Sequence, residues 1–346
     1  MNLAKIKEFI EQKYIHVQKH PTEDLFIYNY TVKAQFEDKW DEEIQACRGL
    51  ILDSEWNVLY RPLKKFFNYE SAEVRGIKIP KTDFKVYEKL DGSLGILYWV
   101  NGKPFIATRG SFTSDQAIKG TNMLDKYNSY IKNFNNKSTY LFEIIYPDNR
   151  IVVDYGNDER LVLLACINEN GSEFDLDMID YPDKPKILSG VKNYDEIKAK
   201  EDNVNEGFVI RYGSGLRLKV KFEEYKRLHF LLTNVTARKV WEILKEGGDT
   251  TQYLEKVPDE FYKFFKDKIN QIKDGYKEIE SNAKEFYNDN YKLSRKELAL
   301  KLQKHLDKRI LPIVFCMVDK KDYSEVIWKL VKPAHEVPFN QIETNE

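Results

Sequence analysis

A lysine, Lys89, stands in the run VYEKLDGSLGI, residues 86–96, beside an acid and two glycines. A buried lysine costs several kcal/mol unless it is paired or made neutral. That setting suits a nucleophile, because a lysine amine attacks only when neutral, and burial or nearby cations lower its pKa. On a strand, Glu88 and Leu90 share one face and Lys89 takes the other. Gly92 and Gly95 would let a ligand approach the backbone closely.

Cations lie further on. LRLKVKF places Lys219 and Lys221 two apart, so both project from one strand face. Such a pair is either a phosphate clamp or the solvent face of an edge strand. More charges interrupt apolar runs: Arg48 in ACRGLILD, Lys65 in RPLKKFFNYE, Glu143 in LFEIIY and Glu206 in NEGFVIRY. Each alone reads as a solvated face or an ion pair. Together, cations suit a polyphosphate, and carboxylates suit a ribose hydroxyl or Mg²⁺. Asp91 either shapes a turn or acts directly. His16, His20, His229, His305 and His335 have no ligand-like spacing, and Cys47, Cys166 and Cys316 are scattered, which fits a reduced compartment.

These residues need a sheet to hold them. After a helical start (Leu3, Ile6, Phe9, Ile10), short β-rich runs follow from about residue 25, among them RGLILD, FKVYEKL, LGILYWV, YLFEIIY, RIVVDY, LVLLACI, FVIRY and LRLKVKF. Asn101-Gly102 predicts a hairpin. Helical stretches are expected at 115–134 and 194–200. Of 16 glycines, only Gly247, Gly248 and Gly275 fall after Tyr225, and the later runs read as helices. The expected fold is α+β: an antiparallel-sheet domain, 1–227, followed by a mostly α-helical domain, 228–346. The Lys/Glu-rich stretch 263–284 reads as a solvated helix face. A net charge of -1 excludes a globally basic nucleic-acid binder, and no apolar run approaches the ~20 residues of a membrane helix.

EKLDGS resembles the K-x-D-G signature of the covalent nucleotidyltransferases: ATP-dependent DNA and RNA ligases and mRNA capping enzymes. FEIIYPDNRIVVDY, EGFVIR and LKVKF follow in that superfamily's order. CRGLIL, RPLKKFFNYE and RGSFTSDQA resemble specifically the RNA ligases with which T-even phages repair broken tRNA, the RNA ligase 1 family. The resemblance spans roughly residues 47–225. It implies an ATP-grasp-like nucleotidyltransferase domain in which Lys89 attacks the α-phosphorus of ATP and carries AMP. Glu143 would bind the ribose, and Glu206 would position Mg²⁺ directly or through water, with Glu143 a second metal candidate. Lys219 and Lys221 would hold the α-phosphate, Arg48 and Lys65 would sit near the triphosphate, and Glu88 and Gly92 would complete the nucleotide contacts. Arg109 stands where relatives carry lysine, which keeps charge but changes geometry. Leu163 offers an aliphatic wall for adenine.

The activity so implied is ATP-dependent joining of RNA 5′-phosphate and 3′-hydroxyl ends, with Mn²⁺ able to replace Mg²⁺. Cleaved tRNA is a candidate substrate, and the helical domain a candidate for recognising it. The implied setting is a monomer in the cytoplasm, a host's if the source is viral, with no membrane partner. A capping guanylyltransferase, a DNA ligase and a non-catalytic tRNA-binding module are the alternatives; the first two normally append an OB-fold after LKVKF.

Overall fold

Leu3, Ile6, Phe9 and Ile10 form one side of the helix Leu3–Glu11, which Asn2 opens by accepting from the Lys5 amide. Ile6 and Phe9 are buried with Tyr28, Leu50 and Leu52 of the first sheet. That sheet runs β1 (Ile15–Lys19), β2 (Phe26–Tyr30), β3 (Arg48–Leu52) and β4 (Val58–Tyr60), paired antiparallel in that order. The computed structural model describes residues 2–233, 235–254, 257 and 261–333. The chain divides into two units, 1–232 and 233–346. The helix Glu223–Thr233 runs across the change of texture seen in the sequence.

Two further sheets complete the first unit. The short β5 (Phe67–Asn68) and β6 (Phe84–Lys89) open one of them. The chain then builds the other from β7 (Ser93–Val100), β8 (Lys103–Thr108), β9 (Thr139–Ile145) and β10 (Arg160–Ile167), in the order β10-β9-β7-β8. It returns as β11 (Gly207–Tyr212) and β12 (Arg217–Lys221), giving the order β5-β12-β11-β6. The two-residue pairing of β5 with β12 is parallel; the other pairings are antiparallel. Asn101 and Gly102 both take positive φ, 50° and 76°, as the β7–β8 hairpin turn demands. Phe142, Leu97, Leu161 and Leu163 are fully buried in the core that includes these sheets. Each such side chain contributes about 1.5–3 kcal/mol.

The helical stretch expected at 115–134 is present in three pieces: Asp115–Met123, a 3₁₀ turn Leu124–Tyr127, and Asn128–Ile131. One expectation changes. RIVVDY is not a strand. Its Val152 and Val153 amides donate to a side chain, Asp91 Oδ2, instead of to a ladder.

The described residues of the second unit carry helices and no strand. The longest, Tyr262–Asn290, buries Phe265, Ile269, Ile272, Ile279 and Ala283 at helical spacing and turns its charges outward. Ile279 and Ala283 pack with Leu298, Leu302, Ile313 and Ile327 from the following helices. Among the described residues no helix is long and apolar enough to cross a membrane.

Candidate active site

Strand register brings the distant charges together. Gly207 on β11 stands opposite Lys89 on β6 and opposite Lys221 on β12, so the three form one row across the sheet. Glu206 precedes that glycine and is 3% exposed. Its Oε2 lies 2.6 Å from Lys89 Nζ and its Oε1 3.7 Å from Lys221 Nζ. Gly207 has φ +147°, and a Cβ there would stand 2.0 Å from the Val220 carbonyl oxygen. Only glycine fits, and this backbone turn aims the Glu206 carboxylate at both lysines.

Lys219 and Lys221 are 9% and 8% exposed, and β12 lies between β5 and β11. They are not the solvent face of an edge strand. Burying two ammonium groups is costly unless anions meet them. Lys221 has Glu206 and also sits over the Tyr225 ring, 5.5 Å from its centroid.

Asp91 holds the loop after the nucleophile. It is 3% exposed. One carboxylate oxygen accepts from the Val152 and Val153 amides, each at 2.8 Å, and the other from the Tyr225 hydroxyl at 2.7 Å. Its own amide donates to the Tyr155 hydroxyl at 2.9 Å. Both oxygens are spoken for, which favours the ordering role over direct chemistry.

A second set of charges surrounds Tyr30. Arg109 donates to its hydroxyl at 3.2 Å, the Arg48 guanidinium is close enough to feel it, and Lys65 lies 5.5 Å from its ring centroid. Lys65, 8% exposed, also sits 4.9 Å from the Trp40 ring and 5.7 Å from Phe67, in a cage of three aromatics. Arg48 and Lys89 both act on Glu143 of β9. Burial pushes the Glu143 carboxyl up to about 7, helped by Glu206 and Asp91 and opposed by Lys89 and Arg48. One environment therefore contains Lys89, Glu143, Glu206, Arg48 and Lys221.

Three expected nucleotide contacts look different in the structure. Glu88 points to the opposite side of β6 from Lys89, as strand alternation requires, and reaches toward Lys186 at 3.9 Å. The room left by Gly92 is taken by strand β9, not by a ligand: a Cβ there would stand 2.6 Å from the Ile144 carbonyl oxygen. Leu163 is fully buried beside Phe142 in the core, and it is Val162 that stands directly opposite Glu143. Tyr30, Trp40, Phe67, Tyr155 and Tyr225 escaped notice in the sequence. An aromatic within or beside a short strand or helix reads as core, and nothing local reveals that its hydroxyl or ring serves a distant charge.

Among the described residues no group of three His, Cys, Asp or Glu could cage a metal ion. Glu206 and Glu143, close enough to influence each other, supply two carboxylates at most, since Asp91 is engaged. That donor set fits Mg²⁺, which keeps waters and uses one or two carboxylates plus substrate phosphates. His20 meets Tyr98 and His305 meets Asp307, whereas His335 lies outside the described residues. The three cysteines are free.

Comparison with known proteins adds the following. The family model described as RNA ligase matches residues 46–226, slightly over half of the chain. A protein of Autographa californica nuclear polyhedrosis virus, named as a bifunctional polynucleotide kinase/RNA ligase, is 29% identical over 253 residues. The match takes in 65% of this chain but only 36% of that protein's length. An RNA ligase of Rhodothermus phage RM378 is 25% identical, with 82% of this chain and 83% of the phage protein covered. Among solved structures, a Naegleria gruberi RNA ligase with ATP and Mn is 16% identical, with a TM-score of 0.39 over 46% of this chain and 55% of its own. That likeness is too loose to bear on residue roles.

Proposed function

Because the chain belongs to the RNA ligase family, we propose that it joins RNA ends at the expense of ATP, with Lys89 as the covalent nucleophile. The observation that carries this reading is the row Lys89–Gly207–Lys221 across the sheet, with the buried Glu206 carboxylate 2.6 Å from the half-buried candidate nucleophile. A lysine held by a buried acid beside further cations is an arrangement for phosphoryl transfer, where positioning and charge neutralisation supply most of the catalysis.

In the first step neutral Lys89 Nζ attacks the α-phosphorus. The N–P bond forms, the bond to the β-phosphate oxygen breaks and pyrophosphate leaves. Glu206, in contact with Nζ, is placed to take the ammonium proton. Lys219 and Lys221 neutralise the α-phosphate, and Arg48 and Lys65 steer the departing phosphates. Glu143 accepts from the ribose as a carboxylate. Mg²⁺, or Mn²⁺ in its place, held at Glu206 or Glu143, would supply further charge neutralisation. The AMP then passes to an RNA 5′-phosphate, and a 3′-hydroxyl displaces it.

The helices after β12 favour this reading over a capping enzyme or DNA ligase, which normally carry an OB-fold there. The second unit, 233–346, serves RNA recognition in this account, and RNA or tRNA repair is the corresponding role. The free cysteines suit a reducing cytoplasm. A joining assay on single-stranded RNA, nicked duplex and cleaved anticodon loops tests the proposal. Joining of RNA ends supports it; sealing of nicked DNA alone, or labelling by GTP in preference to ATP, overturns it.

A further inference from the structure

The second unit hides a strong segregation of charge. Residues 228–346 hold 21 basic and 20 acidic residues, yet residues 291–309 alone hold seven basic residues against Glu297 and Asp307. The rest of the unit is correspondingly acidic. The concentrated segment contains the helix Arg295–Gln303, opened by a capping box from Ser294 and Glu297. Leu298 and Leu302 bury one side of it. Lys296, Leu300 and Lys304, at spacings of four, line the opposite side, and all three are exposed.

Several cations of the segment are engaged locally: Arg295 with Asp319, Lys301 with Asn290, and Arg309 with Glu278 and Asp307. Lys296 and Lys304 have no acidic partner among the described residues. Large apolar surface lies among these charges: Leu300 is 54% exposed, Tyr291 63% and Leu306 fully exposed. A solvated helix face alone would not display a tyrosine and two leucines among cations; cations interleaved with an exposed ring and aliphatic groups suit a polyanion that also offers stacking faces.

We propose that residues 291–309 form a docking surface for the phosphate backbone of a folded RNA, centred on Lys296 and Lys304. This rests on the RNA ligase reading and names the recognition surface that reading lacks. The test uses the full chain and a fluorescent anticodon stem-loop RNA, with affinity measured by anisotropy across salt concentrations. The K296E/K304E double variant should bind at least ten-fold more weakly. The milder K296A/K304A variant should flatten the log Kd against log salt slope by about 1.4–1.8, roughly two phosphate contacts. K273E/K277E, an equal charge change on the helix Tyr262–Asn290, should alter affinity less than three-fold. All variants should form lysyl-AMP at the wild-type rate. Wild-type affinity and slope in K296A/K304A, or an equal loss in K273E/K277E, overturns the surface. Wild-type protein that forms lysyl-AMP but binds no stem-loop overturns the surface alone. Wild-type protein that binds the stem-loop but forms no lysyl-AMP overturns the ligase reading instead.

Discussion

Tyr225 donates its hydroxyl to Asp91 at 2.7 Å across 134 residues of sequence. The bond ties the loop that follows the candidate nucleophile to the helix that follows Lys221. Asp91 therefore reads as a clamp: it fixes where Lys89 ends and where the 152–153 backbone passes.

Breaking the clamp should cost stability as well as activity. Tyr225→Phe leaves one buried Asp91 oxygen unsatisfied and should destabilise the fold by about 1–3 kcal/mol. Asp91→Asn should cost at least as much, because an oxygen facing two amides would be replaced or weakened. Chemical denaturation of both single variants and the double variant should reveal a coupling energy of roughly 0.5–3 kcal/mol. Strict additivity would mean that the hydrogen bond does not position the loop.

Lys219→Ala and Lys221→Ala should each slow lysyl-AMP formation by about 2–4 kcal/mol of transition-state stabilisation. They should differ in stability. Lys221 is a partner of buried Glu206, 3.7 Å away, so its loss removes a cation from beside that carboxylate. Single-turnover labelling together with melting curves separates the two effects. Full activity with a lowered Tm in either variant would assign that lysine to the fold.

The aromatic cage around Lys65 implies a role for Trp40, which has no hydrogen-bonding or acid–base task in the proposed chemistry. Trp40→Leu removes a cation–π contact worth about 1–2 kcal/mol when desolvated. It should raise KM for ATP several-fold more than it lowers kcat, and Trp40→Phe should restore most of the loss. Unchanged KM in Trp40→Leu would show that the cage serves packing only.

Glu143 predicts a pH signature. Its carboxyl titrates near 7 in the fold because burial disfavours the charge, against 4.5 as its ordinary value. Between those values the folded state holds the proton and the unfolded chain releases it, so stability falls as pH rises from about 4.5 to 7. Glu143→Gln should remove that decline, a difference on the order of 3 kcal/mol across the window. ATP binding should strengthen over the same range, since the ribose contact needs the carboxylate. A wild-type and a Glu143→Gln profile that run parallel would contradict the assignment.

The site was readable from sequence where a charge interrupts an apolar run. Lys89, Glu143, Glu206, Lys219 and Lys221 announced themselves this way, and period-two alternation correctly placed Lys219 and Lys221 on one face. The hairpin at Asn101-Gly102 was legible for the same local reason, a turn that few residue pairs satisfy. What escaped depends on contacts between distant segments. RIVVDY has the composition of a strand, but Asp91 takes its amides. Gly92 looked like room for a ligand, but β9 fills that room. Leu163 and its neighbours are equally apolar, and only the bulge between Leu163 and Ala165 and the surrounding core decide which of them is sealed.

The central claim is that Lys89 forms the covalent bond to AMP, and incubation with α-labelled ATP and Mg²⁺ tests it most directly. Wild-type protein should carry the label, which excess unlabelled GTP should not displace. Lys89→Ala should carry none, and neither should Lys89→Arg, because a guanidinium cannot become a neutral nucleophile at usable pH. Lysyl-AMP formed at the normal level by Lys89→Ala would contradict the account.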